Sequence, residues 1–176
     1  QVISYELGIG LALLTVVMAS GTFDLRSIVD AQKTQGMWNM VPHFLGFVVF
    51  VVSIFAETNR IPFDLPEGEN EIVAGYHTEY SGMRFGLFFV GEYINVIILG
   101  SMVTVLFLGG WHGPLLPPIV WFALKVLVVS FCFIWTRGTL PRLRYDQLMH
   151  FGWKFLIPVA LTNVLVTGAV MLAVAP

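Results

Sequence analysis

The apolar residues of this chain fall into blocks long enough to cross a bilayer, and that constrains its fold more than any other feature. A hydrocarbon core about 30 Å thick needs roughly 20 residues of helix, with about 17–25 tolerated. Five stretches meet or approach that length: Ile3–Ser20, Val41–Ala56, Phe85–Gly109, Pro117–Trp135 and Phe151–Val174. Backbone groups cannot stay unpaired in lipid, and no alternating barrel pattern is present, so all five are predicted to be helices. Charge is too scarce for a water-soluble alternative. Of 176 residues 57% are hydrophobic and only 11% charged, with a mean hydropathy of +0.82. A soluble domain carries about 25% charged residues and, at this length, has a large surface to cover with them. The expected fold is an all-α polytopic transmembrane bundle. It forms a single membrane domain over residues 1–176, with one acidic, amphipathic loop at 57–84.

The net charge of −2 offers no basic excess for nucleic acid or anionic lipid. A lone cysteine, Cys132, and four scattered histidines (His43, His77, His112, His150) exclude an iron–sulfur or structural zinc site built by this chain alone. No glycine-rich nucleotide fingerprint occurs, so any redox cofactor is expected in partner subunits. The chain enters an apolar block soon after Gln1 with no charged n-region before it. It therefore reads as a processed or interior end rather than a signal peptide. Arg60, Arg84, Arg137, Arg142 and Arg144 lie in the connections after the second and fourth blocks, with Lys154 just inside the fifth. Only Arg26 and Lys33 follow the first and third. The positive-inside rule then puts the second and fourth loops on the cytoplasmic side.

Ionisable residues inside the blocks are the candidates for function. Glu6, Glu57, Glu92 and Lys125 lie within or at the edge of them, where insertion costs about 2.5–3.5 kcal/mol per acid or Lys at mid-membrane. Such groups face a protein interior or a wet cavity. They serve either as structural partners or as proton relays.

The loop Glu57–Arg84 differs from the rest of the chain. Seven of the 11 acids (Glu57, Asp64, Glu67, Glu69, Glu71, Glu79, Glu92) lie in it or just beyond. Asp64-Leu65-Pro66 resembles a helix start with acids in its first turn. Ile72, Val73, Tyr76 and Tyr80 then recur at helical spacing, as in an amphipathic helix near the interface. Glu67, Glu71 and Glu79 fall at multiples of four and can share one stripe leading towards Glu92. Two readings stand side by side: a solvated acidic cap, or a carboxylate path for protons. The interleaved aromatics Phe63, Tyr76, Tyr80, Phe85, Phe88 and Phe89 are likewise an interfacial belt or, with Arg60, a clamp for a flat amphipathic ligand.

The run Ala56-Glu57-Thr58-Asn59-Arg60, continued by Pro62-Phe63-Asp64-Leu65-Pro66-Glu67-Gly68-Glu69-Asn70-Glu71-Ile72-Val73-Ala74-Gly75, resembles the signature of a known family. That family is the H subunit (subunit 1) of respiratory complex I, the proton-pumping NADH:quinone oxidoreductase. Ile3-Ser4-Tyr5-Glu6, Glu79-Tyr80-Ser81-Gly82-Met83, Gly91-Glu92-Tyr93, Phe107-Leu108-Gly109-Gly110-Trp111 and Pro141-Arg142 with Arg144-Tyr145-Asp146-Gln147 extend the resemblance along essentially the whole chain. It is to the carboxyl-terminal five spans of a longer subunit.

The resemblance implies a role in the quinone tunnel and in the acidic path that couples quinone reduction to proton translocation. It implies Glu6, Glu57, Asp64, Glu67, Glu69, Glu71, Glu79 and Glu92 for the proton path, and Arg60 and Phe63 for quinone binding. Quinone is then the substrate, with FMN and iron–sulfur clusters only in partners. Those partners would be the hydrophilic-arm subunits of the quinone site and the antiporter-like membrane subunits. Alternatives are the homologous subunit of a membrane-bound hydrogenase or of a ferredoxin- or deazaflavin-linked complex, or a stand-alone proton-coupled transporter. The texture of Gly110-Trp111-His112-Gly113-Pro114 and Pro117-Pro118 favours a bacterial plasma membrane over a mitochondrial inner membrane.

Overall fold

The computed structural model describes residues 2–59, 62–64, 79–114, 116–141 and 143–174, and among these described residues it forms seven α-helices. They are α1 (Val2–Ser20), α2 (Leu25–Gln35), α3 (Phe44–Glu57), α4 (Met83–Phe107), α5 (Pro118–Thr139), α6 (Tyr145–Phe151) and α7 (Ile157–Val174). A π-helical turn, Gly152–Leu156, joins α6 to α7, so that 145–173 runs as one span. With α1, α4 and α5 this gives, among the described residues, four helices long and apolar enough to cross a membrane, and α3 is a shorter apolar helix. The protein is an integral membrane helical bundle. Large side chains of the spans point outwards: Leu127, Ile134, Leu165 and Leu172 are each exposed, as expected of surfaces that meet lipid or other subunits rather than water.

The sequence expectation shifts in three places. The second block begins as a helix only at Phe44, because residues 39–43 turn back on themselves, His43 donating its N–H to the Asn39 carbonyl at 3.0 Å. Its 14 residues rise about 21 Å, short of a roughly 30 Å core. The last span starts earlier than Phe151, and its π turn has a cause. Pro158 has no N–H and its ring crowds the carbonyl four residues back, so the Ile157 N–H reaches back five residues to Gly152. Third, α2 is a polar surface helix between the first two blocks. Asp24 caps it, accepting from the backbone N–H groups of Arg26 and Ser27. The Ser27 hydroxyl and those two N–H groups hold the Asp24 carboxyl below the usual carboxylate range. Gly36 ends the helix in the left-handed region at φ 65°. The amphipathic helix expected from Asp64 onward lies mostly outside the described residues.

Helix α1 packs chiefly on α3 and α7, and α4 pairs with α5. Without a hydrophobic drive between helices in lipid, close approach depends on small residues. An added Cβ at Gly8 would sit 2.5 Å from Ser53 Oγ, and one at Gly46 would sit 3.0 Å from both Asn163 Nδ2 and Thr15 Oγ1. Tyr5, Phe50, Ile54, Leu106, Phe107 and Leu148 fill the centre and are essentially inaccessible.

Every orphan carbonyl at the end of α4 has a donor. Thr104 O takes the Leu108 and Gly110 N–H groups, and Phe107 O takes the Met40 N–H. Gln32 Nε2 donates to Val105 O at 3.0 Å and Leu106 O at 3.3 Å, and Asn39 Nδ2 adds a bond to Leu106 O at 3.1 Å. These bonds seat α2 across the end of α4. Gly110 is what lets α2 approach: it has φ +53°, and an added Cβ would lie 2.7 Å from Val29 Cγ2. Gly110→Ala is expected to destabilise the protein by about 2–4 kcal/mol, combining left-handed strain with overpacking. Thermal unfolding in detergent tests this. Gly10→Ala, where an added Cβ meets nothing within 4 Å, serves as the near-neutral control.

Candidate functional site

All the candidate acids that the structure describes belong to one end of the bundle. The beginnings of α1, α4 and α6 and the ends of α3 and α5 meet there, as the alternation of antiparallel helices requires. Two contacts fix this: Tyr5 donates its hydroxyl to Leu148 O at 3.3 Å, and its ring lies 5.5 Å from that of Phe63. The Leu143 N–H donates to Pro62 O at 3.0 Å, tying the chain after α3 to the segment before α6.

Glu57 is the last residue of α3, half-buried, and Glu92 lies nine residues into α4. The two wall a single cavity of ≈ 520 Å³ with Thr58, Asn59, Phe88 and Asn95. Glu57 Oε2 is buried and has no hydrogen-bond partner among the described residues. Glu6, in the first turns of α1, is exposed. Coulomb interaction is strong where water is sparse, so carboxylates that share a cavity feel one another's charge. After Glu57 the chain turns sharply through Asn59, at φ 50° the only non-glycine residue with positive φ among those described. Asparagine tolerates that conformation better than most residues.

On another side of α3 lies a second cavity of ≈ 520 Å³, almost wholly apolar, lined by Val51, Phe55, Pro62, Phe63, Leu143 and Phe151 among others. Phe63, 5% exposed, is the one sequence-predicted ligand-binding residue in its wall. The end of α3 therefore separates a carboxylate-lined cavity from an apolar one large enough for a flat ring.

The structure joins some of the expected residues and not others. It sets Glu57 and Glu92 on one cavity and Phe63 against Tyr5, and leaves Glu6 exposed near the start of α1. Asp64 is half-buried and Glu79 exposed just before α4; neither lines the cavity of Glu57 and Glu92. Arg60, Glu67, Glu69 and Glu71 lie outside the described residues. Tyr80 packs on Phe88 with ring centroids 4.9 Å apart, and Phe85 on Phe89 at 4.8 Å, while Tyr76 of the expected aromatic set lies outside the described residues.

Lys125 resolves to the structural alternative. Its ammonium donates to Leu108 O at 2.7 Å, Gly110 O at 3.0 Å and His112 O at 2.8 Å, at the end of the bundle away from the acids. Three N–H groups with three carbonyls leave no donor for a relay. Thr58, Asn95 and Ser53 stand near the acids without being acids, and the sequence does not single them out. Spacing was the available signal, since Asn95 follows Glu92 by three residues and Ser53 precedes Glu57 by four.

The family model described as NADH dehydrogenase matches residues 1–168. Among curated relatives, the NADH-quinone oxidoreductase H subunit of Syntrophotalea carbinolica is 66% identical over 169 residues, which is 96% of this chain and 51% of that protein. The H subunit numbered 1 in Geobacter metallireducens is 63% identical over 172 residues, 98% of this chain and 52% of its own length. The H subunit of Protochlamydia amoebophila is 55% identical over 168 residues, 96% of this chain and 51% of the relative. The chain spans about half the length of the curated relatives it matches.

Proposed function

Since this chain belongs to the NADH dehydrogenase family, we propose that it acts as a membrane subunit of a proton-pumping NADH:quinone oxidoreductase. In this reading it forms part of the quinone tunnel and of the acidic path that couples quinone reduction to proton movement. The relatives it matches are named as H subunits of NADH-quinone oxidoreductase and come from bacteria, which supports a bacterial plasma membrane as the location. Partners would be the hydrophilic-arm subunits that complete the quinone site and antiporter-like membrane subunits; FMN and iron–sulfur clusters would reside there.

One observation carries the reading: Glu57 and Glu92 share a cavity while Phe63 lines an apolar one on another side of the same helix end. An apolar wall suits a quinone ring and its tail, which need burial rather than hydrogen bonds. Reduction adds negative charge to the quinone, and Coulomb interaction changes the protonation of carboxylates nearby. Glu57 and Glu92 take up that change, Glu6 couples to Glu57, and Asp64, Glu67, Glu69, Glu71 and Glu79 extend the path through the loop. Arg60 would supply a cation to a quinone oxygen. No covalent step falls on this chain.

A native gel of mildly solubilised membranes, stained for NADH oxidation and probed for this chain, tests the assignment. The chain is expected in a very large band that oxidises NADH. A large band that oxidises hydrogen, ferredoxin or reduced deazaflavin instead would overturn it in favour of a hydrogenase-like complex. A small band with none of these activities would leave a stand-alone transporter.

A further inference from the structure

Glu57 and Glu92 share a cavity, but they do not stand opposite one another. Helices α3 and α4 run antiparallel, and their register is fixed where the Phe50 and Phe107 rings meet, with centroids 5.4 Å apart. The bond from the Met40 N–H to Phe107 O, at 3.1 Å, holds the same pairing. Glu57 follows Phe50 by seven residues, and the same run back along α4 from Phe107 ends at Gly100. Glu92 is eight residues further on, about 12 Å along the helix axis. Each Cα–Cβ bond tilts towards the start of its own helix, and in an antiparallel pair these tilts widen the gap. No single hydrogen bond spans it.

Asn95 occupies that gap. It follows Glu92 by three residues, on the side towards Glu57, and lines the same cavity. Asn95 is half-buried, and its amide has no hydrogen-bond partner among the described residues. Thr58, also on the cavity, is committed elsewhere: its hydroxyl donates to Phe55 O at 3.1 Å. Glu57 Oε2 is buried with an acceptor site unfilled by the described residues. The cavity of ≈ 520 Å³ has room for the roughly three waters, of about 30 Å³ each, that a hydrogen-bonded chain across the gap needs. An amide brings two N–H donors and one carbonyl acceptor. It can therefore hold such a chain before a proton passes and after, when every hydrogen bond in it has reversed direction.

We infer that Asn95 is a positioning residue for proton transfer, holding the waters that link Glu57 of α3 to Glu92 of α4. The step balances without redox change. The Glu57 carboxyl gives its proton to the first water, each water hands on one of its own, and the last protonates the Glu92 carboxylate. Every water ends with two protons, and Asn95 keeps both of its own. The inference rests on the proposed role of Glu57 and Glu92 in the proton path, and it adds the group that carries the path between them.

The test uses the whole membrane complex in sealed vesicles, with NADH-driven proton translocation followed in H2O and in D2O. Asn95→Leu and the more pliant Asn95→Met are expected to assemble normally on native gels and to lower translocation by about tenfold. Their H2O/D2O rate ratio is expected to rise about twofold over the parent's, because the proton hand-over becomes limiting. Asn95→Gln, which keeps the amide, is expected to restore translocation to within about threefold of the parent. Translocation and isotope ratio at parent values in either apolar variant would overturn the role of Asn95 while leaving the acids in the path. Failure of both apolar variants to assemble, with Asn95→Gln intact, would assign the amide to the fold and overturn it as well. Unchanged translocation in Glu57→Gln would instead overturn the underlying reading of Glu57.

Discussion

Glu57→Gln is expected to lower proton translocation by about a hundredfold, the lower range of what a positioned acid–base group contributes, while the assembled complex persists. The amide has nearly the shape of the carboxyl, so the cavity shared with Glu92, Thr58 and Asn95 keeps its outline. What disappears is the titratable proton and the carboxylate charge. Proton uptake driven by NADH oxidation in sealed vesicles checks this, with the native-gel band as the control for assembly. Glu92→Gln is expected to resemble it. The double variant should lose little more than either single one, because residues that act as one path are strongly non-additive. Additive losses would mean that the two acids serve separate routes.

Lys125→Ala is expected to destabilise the protein by about 3 kcal/mol or more, since bonds from a charged donor contribute about 1.5–3 kcal/mol each and the three carbonyls would be left buried. Lys125 is 6% exposed, lies 5.2 Å from the Trp38 ring centroid, and gathers Leu108, Gly110 and His112 around one nitrogen. It also places a cation at the negative end of the α4 macrodipole. The readouts are thermal unfolding in detergent and protease sensitivity of residues 108–113. Lys125→Arg should recover only part of the loss, because a flat guanidinium cannot converge on three carbonyls as an ammonium does. A stable Lys125→Ala variant with the loop protected would rule out the clamp.

The two variants separate the ends of the molecule. At one end acids face cavities and a change should affect transport before stability. At the other a buried cation is fully bonded to backbone, and a change should affect stability first. Both residues look alike in the sequence, each a charge in or at the edge of an apolar block. Only the identity of the neighbours tells them apart.

How far the fold was legible follows the length and strength of each signal. The blocks that became α1, α4 and α5 are long and uninterrupted, and a membrane leaves such a segment no alternative to helix. Block ends were less legible. The turn at residues 39–43 delays α3, and the π turn around Pro158 hides the continuity of α6 with α7. Helix α2 was missed because its 11 residues are mostly polar and an isolated helix of that length is marginal. Its cap residues, Asp24 and Gly36, were the readable signs.

The sequence alone determined that this chain lies in a membrane as helices, that its acids gather around one loop, and which family it belongs to. Those properties depend on composition, block length and short motifs, all of which are local. Tertiary structure decided which charges do what. It set Glu57 and Glu92 on one cavity and Phe63 on another, bound Lys125 to three carbonyls, and turned Ser53 towards Gly8. These outcomes depend on where separate helices cross, and a charge in lipid takes its role from the partner that the crossing supplies.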